Sequence, residues 1–218
     1  MSQTITEPRA VPGAARPTGR RRTVLLGAGA VLVLAVVVLV WVLRSGGEDT
    51  VPYRDASSTG SLTLCGADGR PVTSGSTSTA PFVVRAVGAS AAPGAFAGAG
   101  RSATLYAFQP RQGTDSQEWS GQLLTAASDY TSTAHPMAQA TGQDVALKSF
   151  LTAFPPRWDG FVQLRLYLSS PQTGEGATYD SVSIKVDGGS WKVVGPAGTA
   201  GCTDGSATSH ETTAGSGH

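Results

Sequence analysis

"FVQLRLYLSS", residues 161–170, decides how the rest of the chain reads. Val162, Leu164, Leu166 and Leu168 fall on one face of an extended chain, while Gln163, Arg165 and Tyr167 fall on the other. That period of two is the mark of a half-buried strand with one face on a core and one toward water.

Downstream, "YDSVSIKVDGGSWKVV" (179–194) carries Val182, Ile184 and Val186 at the same period, a Gly-rich turn at 187–189, and then Trp191 and Val193. Alternating apolar residues on both sides of such a turn predict a β-hairpin, with Trp191 in the core. Upstream, "SATLYAF" (102–108) alternates Ala103, Leu105 and Ala107 with Thr104, Tyr106 and Phe108. "LTLC" (62–65) and "PFVVRAV" (81–87) are short runs bounded by turn residues. Strands with turns at roughly ten-residue spacing predict a mainly β, sandwich-like domain. The Ser/Thr-rich "TSGSTSTA" (73–80) and the Gly/Ala-rich "GASAAPGAFAGAG" (88–100) read as loops.

One helix interrupts the strands. Leu147, Phe150, Leu151 and Phe154 lie at i, i+3, i+4 and i+7, Thr141 or Asp144 could cap the start, and Pro155-Pro156 prevents continuation. This short amphipathic helix is expected to lie against the sheet.

The N-terminal part has a different character. From Thr23 to Leu43 there is no charged residue, and at about 1.5 Å per residue such a helix spans the roughly 30 Å hydrocarbon core of a bilayer. Trp41 and Arg44 close it with bulk and charge where a signal peptidase needs small residues, so a retained transmembrane helix over 23–43 is favoured over a cleaved signal. Arg21-Arg22 ahead of Thr23 resembles the core of a twin-arginine export signal, and such a signal can also remain as an anchor. Arg9, Arg16, Arg20, Arg21 and Arg22 against the single acid Glu7 place residues 1–22, a disordered basic tail, in the cytoplasm. A polar linker (44–60), a β-rich extracytoplasmic domain (61–203) and a disordered tail (204–218) follow.

Residues 45–218 hold ten Lys or Arg against fourteen Asp or Glu, a mildly acidic balance that argues against nucleic acid as a partner. The two cysteines, Cys65 and Cys202, stand near the two ends of the patterned region, and an even pair in an oxidising compartment predicts a disulfide.

Catalytic signatures are sparse. His135 is the one histidine of the domain, no G-x-S-x-G is present, and bridged cysteines offer neither a nucleophile nor a thiolate ligand. No cofactor is implied. Gly98-x-Gly100-x-x-Ala103 lacks the strand before it and the helix after it that a dinucleotide site needs. Asp115, Glu118, Asp159 and Glu175 could pair for glycoside cleavage only if the fold held two carboxyls a few ångströms apart, and solvated loop acids are the commoner case.

Surface recognition is what remains. Trp158, between Arg157 and Asp159 in "PPRWDG", stands in a proline-stiffened loop and is a candidate contact to a partner or a glycan, or a lid on the core. Trp119 in "QEWSG" is a second candidate. Three roles are open: a membrane-anchored binding or scaffolding module of the cell envelope acting on a protein partner, a module for wall carbohydrate, and an enzyme, the least supported.

The chain has no asparagine and three lysines against thirteen arginines, the usage of a high-GC bacterium. "ATLYAFQPR", "WSGQLLTAASDYT", "HPM" and "FPPRWDGFVQLRLYL", in this order, resemble a group of actinobacterial single-pass membrane proteins with an extracytoplasmic domain and no known activity. The resemblance covers most of residues 80–202 and implies an envelope location without assigning any residue a role. Asp144–Val194, a helix followed by a long strand and a hairpin, is also similar to the second half of the cone-shaped α+β domains of secretion-channel subunits.

Overall fold

Strand β8 (Phe161–Ser170) is the axis of the architecture, and nine of its ten residues are buried. In the computed structural model, which describes residues 50–210, it pairs antiparallel with β4 (Ser102–Gln109) on one side and β9 (Gly174–Asp187) on the other. Val162, Leu164, Leu166 and Leu168 face the core with Leu62, Leu105, Ile184 and Phe150.

The remaining strands are β1 (Ser58–Cys65), β2 (Ser74–Ser76), β3 (Arg85–Gly88), β5 (Ser120–Leu123), β6 (Ser128–Tyr130), β7 (Met137–Gln139), β10 (Ser190–Val194) and β11 (Ala207–Ser209). They form one sheet whose main path runs β11-β6-β4-β8-β9-β1-β3-β7, with β5 on β4 and the β10-β2 pair on β9. All pairings are antiparallel except that of β1 with β9. The domain is mainly β with one helix, as the alternation predicts. The layout corrects the sandwich: there are not two stacked sheets but one sheet curled almost into a barrel.

Closure is made by a side chain. Ser128, fully buried in β6, accepts a hydrogen bond at Oγ from the Gln139 amide of β7 (3.0 Å) and donates to the Gln139 carbonyl (3.2 Å). It thereby supplies both partners that a neighbouring strand would have offered.

Three boundaries differ from the sequence reading. The linker expected over 44–60 is strand from Ser58 onward, and Tyr53 and Asp55 pack on the sheet before that. The tail expected from 204 contains β11, which pairs with β6 and buries Ser209. "TSGSTSTA", read as a loop, contains β2.

The helix α1 (Leu147–Ala153) forms where expected and buries Leu147 and Phe150. Its N-cap is Ala146 without a side-chain cap; Asp144 instead accepts from the Ala126 and Thr141 amides. The apolar segment 23–43, the tail 1–22 and the last residues from 211 lie outside the described residues. Among the described residues no helix is long and apolar enough to cross a membrane.

Candidate binding groove

The outer face of β8 is not the solvent face that its polar residues suggest. Arg165 is fully buried, its guanidinium 3.9 Å from the Phe108 ring centroid and 4.5 Å from that of Tyr179. Its Nε donates to Gln163 (2.7 Å), its Nη2 donates to the Ser116 carbonyl (2.9 Å), and Asp55 supplies the counter-charge. Asp55 also accepts from the Tyr179 hydroxyl (2.8 Å) and the Ser116 hydroxyl (2.9 Å). Burial pushes the Asp55 carboxyl up, but hydrogen bonds from Tyr179, Ser116 and Gln163 and the charge of Arg165 outweigh it, so the carboxyl stays below its ordinary value.

Around this pair stands an aromatic layer. Tyr53 lies edge-on to Trp119 at 4.9 Å and packs on Phe161 at 6.1 Å and Trp158 at 5.7 Å. Burial lifts the Tyr53 phenol to about 12, so it is neutral at physiological pH, where it hydrogen-bonds the Ser183 hydroxyl. The cluster is internally satisfied and holds the N-terminal segment on the sheet. Sequence reasoning missed it because Arg165 and Asp55 are 110 residues apart and each sits in a stretch that reads as solvated.

The nominated residues separate. Cys65 and Cys202 form the expected disulfide across 137 residues, Cα atoms 5.8 Å apart, tying β1 to the segment before β11. Trp119 is 5% exposed, with its indole N–H donated to the Thr114 carbonyl (3.2 Å), and offers no outward ring face. Trp158 is half-buried over Tyr53, while Arg157 and Asp159 are exposed. Trp191 is core, against Phe82 at 4.8 Å.

Asp159, in a left-handed conformation (φ 47°) that Asp tolerates better than most residues, borders a groove of about 870 Å³. Register explains its surface. Lys192 of β10 stands opposite Lys185 of β9 on one side and Ser74 of β2 on the other. Ser190 stands opposite Asp187 and Ser76. These two rows lie two residues apart, so they share the outer face, while Trp191 between them turns inward.

Two of the chain's three lysines are thus directly opposed, a distance of about 5 Å between Cβ atoms. Lys185 also lies over the Phe161 ring (5.4 Å), and Lys192 likewise has a partner within the chain. With Asp159 and Asp187 on the rim, the groove presents both signs of charge between hydroxyls.

His135 lines no part of this groove. It is 3.8 Å from Asp204 at Nε2 and 3.3 Å from the Gly88 carbonyl at Nδ1. Among the described residues no group of three or more His, Cys, Asp or Glu gathers to hold a metal. No family model matches the chain, and no curated protein or solved structure matches it. The groove is therefore read on its own chemistry.

Proposed function

We propose that the chain is a non-enzymatic binding module of the cell envelope, tethered by a helix over 23–43 with its β domain outside, and that it docks a partner protein through the groove of β2, β9 and β10. The observation that carries the reading is the outer face of that hairpin, where Lys185, Lys192, Asp159 and Asp187 surround serine hydroxyls. Charges of both signs with small hydrogen-bonding groups complement a polypeptide surface, and such complementarity favours the right partner over wrong ones. A wall-glycan module would favour exposed aromatic planes, and the burial of Trp119 withdraws one of the two rings that reading relies on.

The test has two parts. Protease added to spheroplasts should degrade the β domain and spare residues 1–22; release of a shortened soluble protein would remove the anchor. Crosslinked membranes should yield a partner on the full chain that is lost from the Lys185→Glu, Lys192→Glu double variant. Equal capture by both would remove the groove.

A further inference from the structure

Where β1, β3 and β9 meet, the interior pattern breaks. Asp180 stands opposite Leu166 of β8 and Gly60 of β1, two residues before Val182 and four before Ile184, and so on the face that those residues turn to the core. A carboxylate holds a position that the alternation assigns to an aliphatic side chain. Two glycines make room for it. A Cβ on Gly60 would lie 2.4 Å from Asp180 Oδ1, and one on Gly88 would lie 2.8 Å from Oδ2.

Asp180 is 5% exposed. Its Oδ2 accepts from the Ser90 amide (2.7 Å), but its buried Oδ1 has no partner. A buried carboxylate oxygen left unpaired is costly and calls for a partner. Asp180 lines a hollow of about 210 Å³ whose walls are apolar at Leu166, Leu168, Pro93 and Pro136 and carry hydroxyls at Thr59, Ser90 and Thr178. The hollow is smaller than drug-sized pockets, which start at about 300 Å³, and suits a small group.

We infer that this hollow binds an alkylammonium group, its charge against the Asp180 carboxylate and its stem between the leucines and prolines. Metal ions fit poorly, because Ca²⁺ takes about six to eight oxygens with several carboxylates among them, and among the described residues no second or third acid, His or Cys joins Asp180 in a metal-holding group. A guanidinium engages both oxygens side by side, and the Ser90 amide already holds one lone pair of Oδ2, which makes the bidentate geometry the less favoured one here. An ammonium is a point charge that one oxygen can hold. The ammonium could arrive as a free amine or as the lysine side chain of a partner. The inference rests on Asp180 and is independent of the lysine-bearing groove.

The experiment titrates the purified full-length chain in detergent with n-butylammonium, following the Leu166 and Leu168 methyl resonances. Saturable shifts are expected, absent with n-butanol and at least tenfold weaker in Asp180→Asn. Ala91→Leu, an exposed substitution that narrows the hollow and leaves the carboxylate in place, should weaken binding similarly and decides the matter if the Asp180 variant does not fold. Binding of Nα-acetyl-lysine N-methylamide, whose side-chain ammonium is free, as tight as that of butylammonium would mark a partner's lysine as the source. Binding at least tenfold weaker would mark a free amine. No saturable shift with the amine, equal shifts with butanol, or unchanged affinity in both variants overturns the inference.

Discussion

Arg165 and Asp55 meet 3.6 Å apart, Nη2 to Oδ2, with their side chains 1% and 4% exposed. The segment that brings Asp55 there precedes the first strand, so this ion pair, with the Tyr53 contacts beside it, holds the N-terminal approach to the domain as structure. Removing one member of a buried pair leaves an uncompensated charge, and Asp55→Ala should cost about 3–5 kcal/mol of stability. Replacing both, as Asp55→Leu with Arg165→Met, should recover most of that loss. Denaturant melts check it, and equal losses in the single and double variants would contradict it.

The same pair sets a pH dependence. A carboxyl held below its ordinary value contributes stability that is complete above about 3.9 and is lost as pH falls through the lower folded value. The parent should therefore lose stability below about pH 4 more steeply than Asp55→Asn, whose curve lacks this component. Parallel curves between about pH 2 and 5 would show that Asp55 titrates as it does in the unfolded chain.

What was legible in the sequence was whatever local pattern encodes. Val182, Ile184 and Trp191 around a Gly-rich turn specify their hairpin by period alone, and an even pair of cysteines specifies a bridge. Arg165 reads as solvent-facing and Asp180 passes without notice, for opposite reasons. The first alternates with leucines like a solvent-facing residue, and the second interrupts an apolar face without announcing it. Both are settled by distant partners, Asp55 in one case and the Gly60-Gly88 clearance in the other. β11 and the start of β1 were missed on the same ground: polar segments become strands when a neighbour's edge completes them.

Barrel closure depends on Ser128. Ser128→Ala leaves the Gln139 amide and carbonyl without their partner in a buried site, which should cost about 2–3 kcal/mol. Amide exchange at Gln139 should quicken while exchange in β8 stays slow. Unchanged exchange at Gln139 would show that the latch carries nothing.

Trp119 and Trp158, similar in sequence context, should part under truncation. Trp119→Ala removes a buried indole and is expected to cost about 3–5 kcal/mol. Trp158→Ala removes a half-buried ring tilted against Tyr53 and should cost about 1–2 kcal/mol. Thermal melts of the two variants decide it, and equal losses would place Trp158 in the core.

Reduction of Cys65–Cys202 opens a loop of 137 residues. In the chain-entropy model its closure is equivalent to about 4–5 kcal/mol, an upper figure for real bridges. The Cys65→Ser, Cys202→Ser double variant should melt well below the parent. An equal melting temperature would show that the bridge does not stabilise the domain.

The binding role is tested most directly by a photo-crosslinking residue placed at Ser190, on the exposed row beside Lys192, in the full chain in its own membranes. One discrete crosslinked partner is expected from this position, lost when Lys185 and Lys192 are both changed to Glu and retained when the crosslinker-bearing chain carries Trp158→Ala. A crosslink that survives the lysine reversals, or none from Ser190 while Trp158 gives one, would contradict the groove as the docking face.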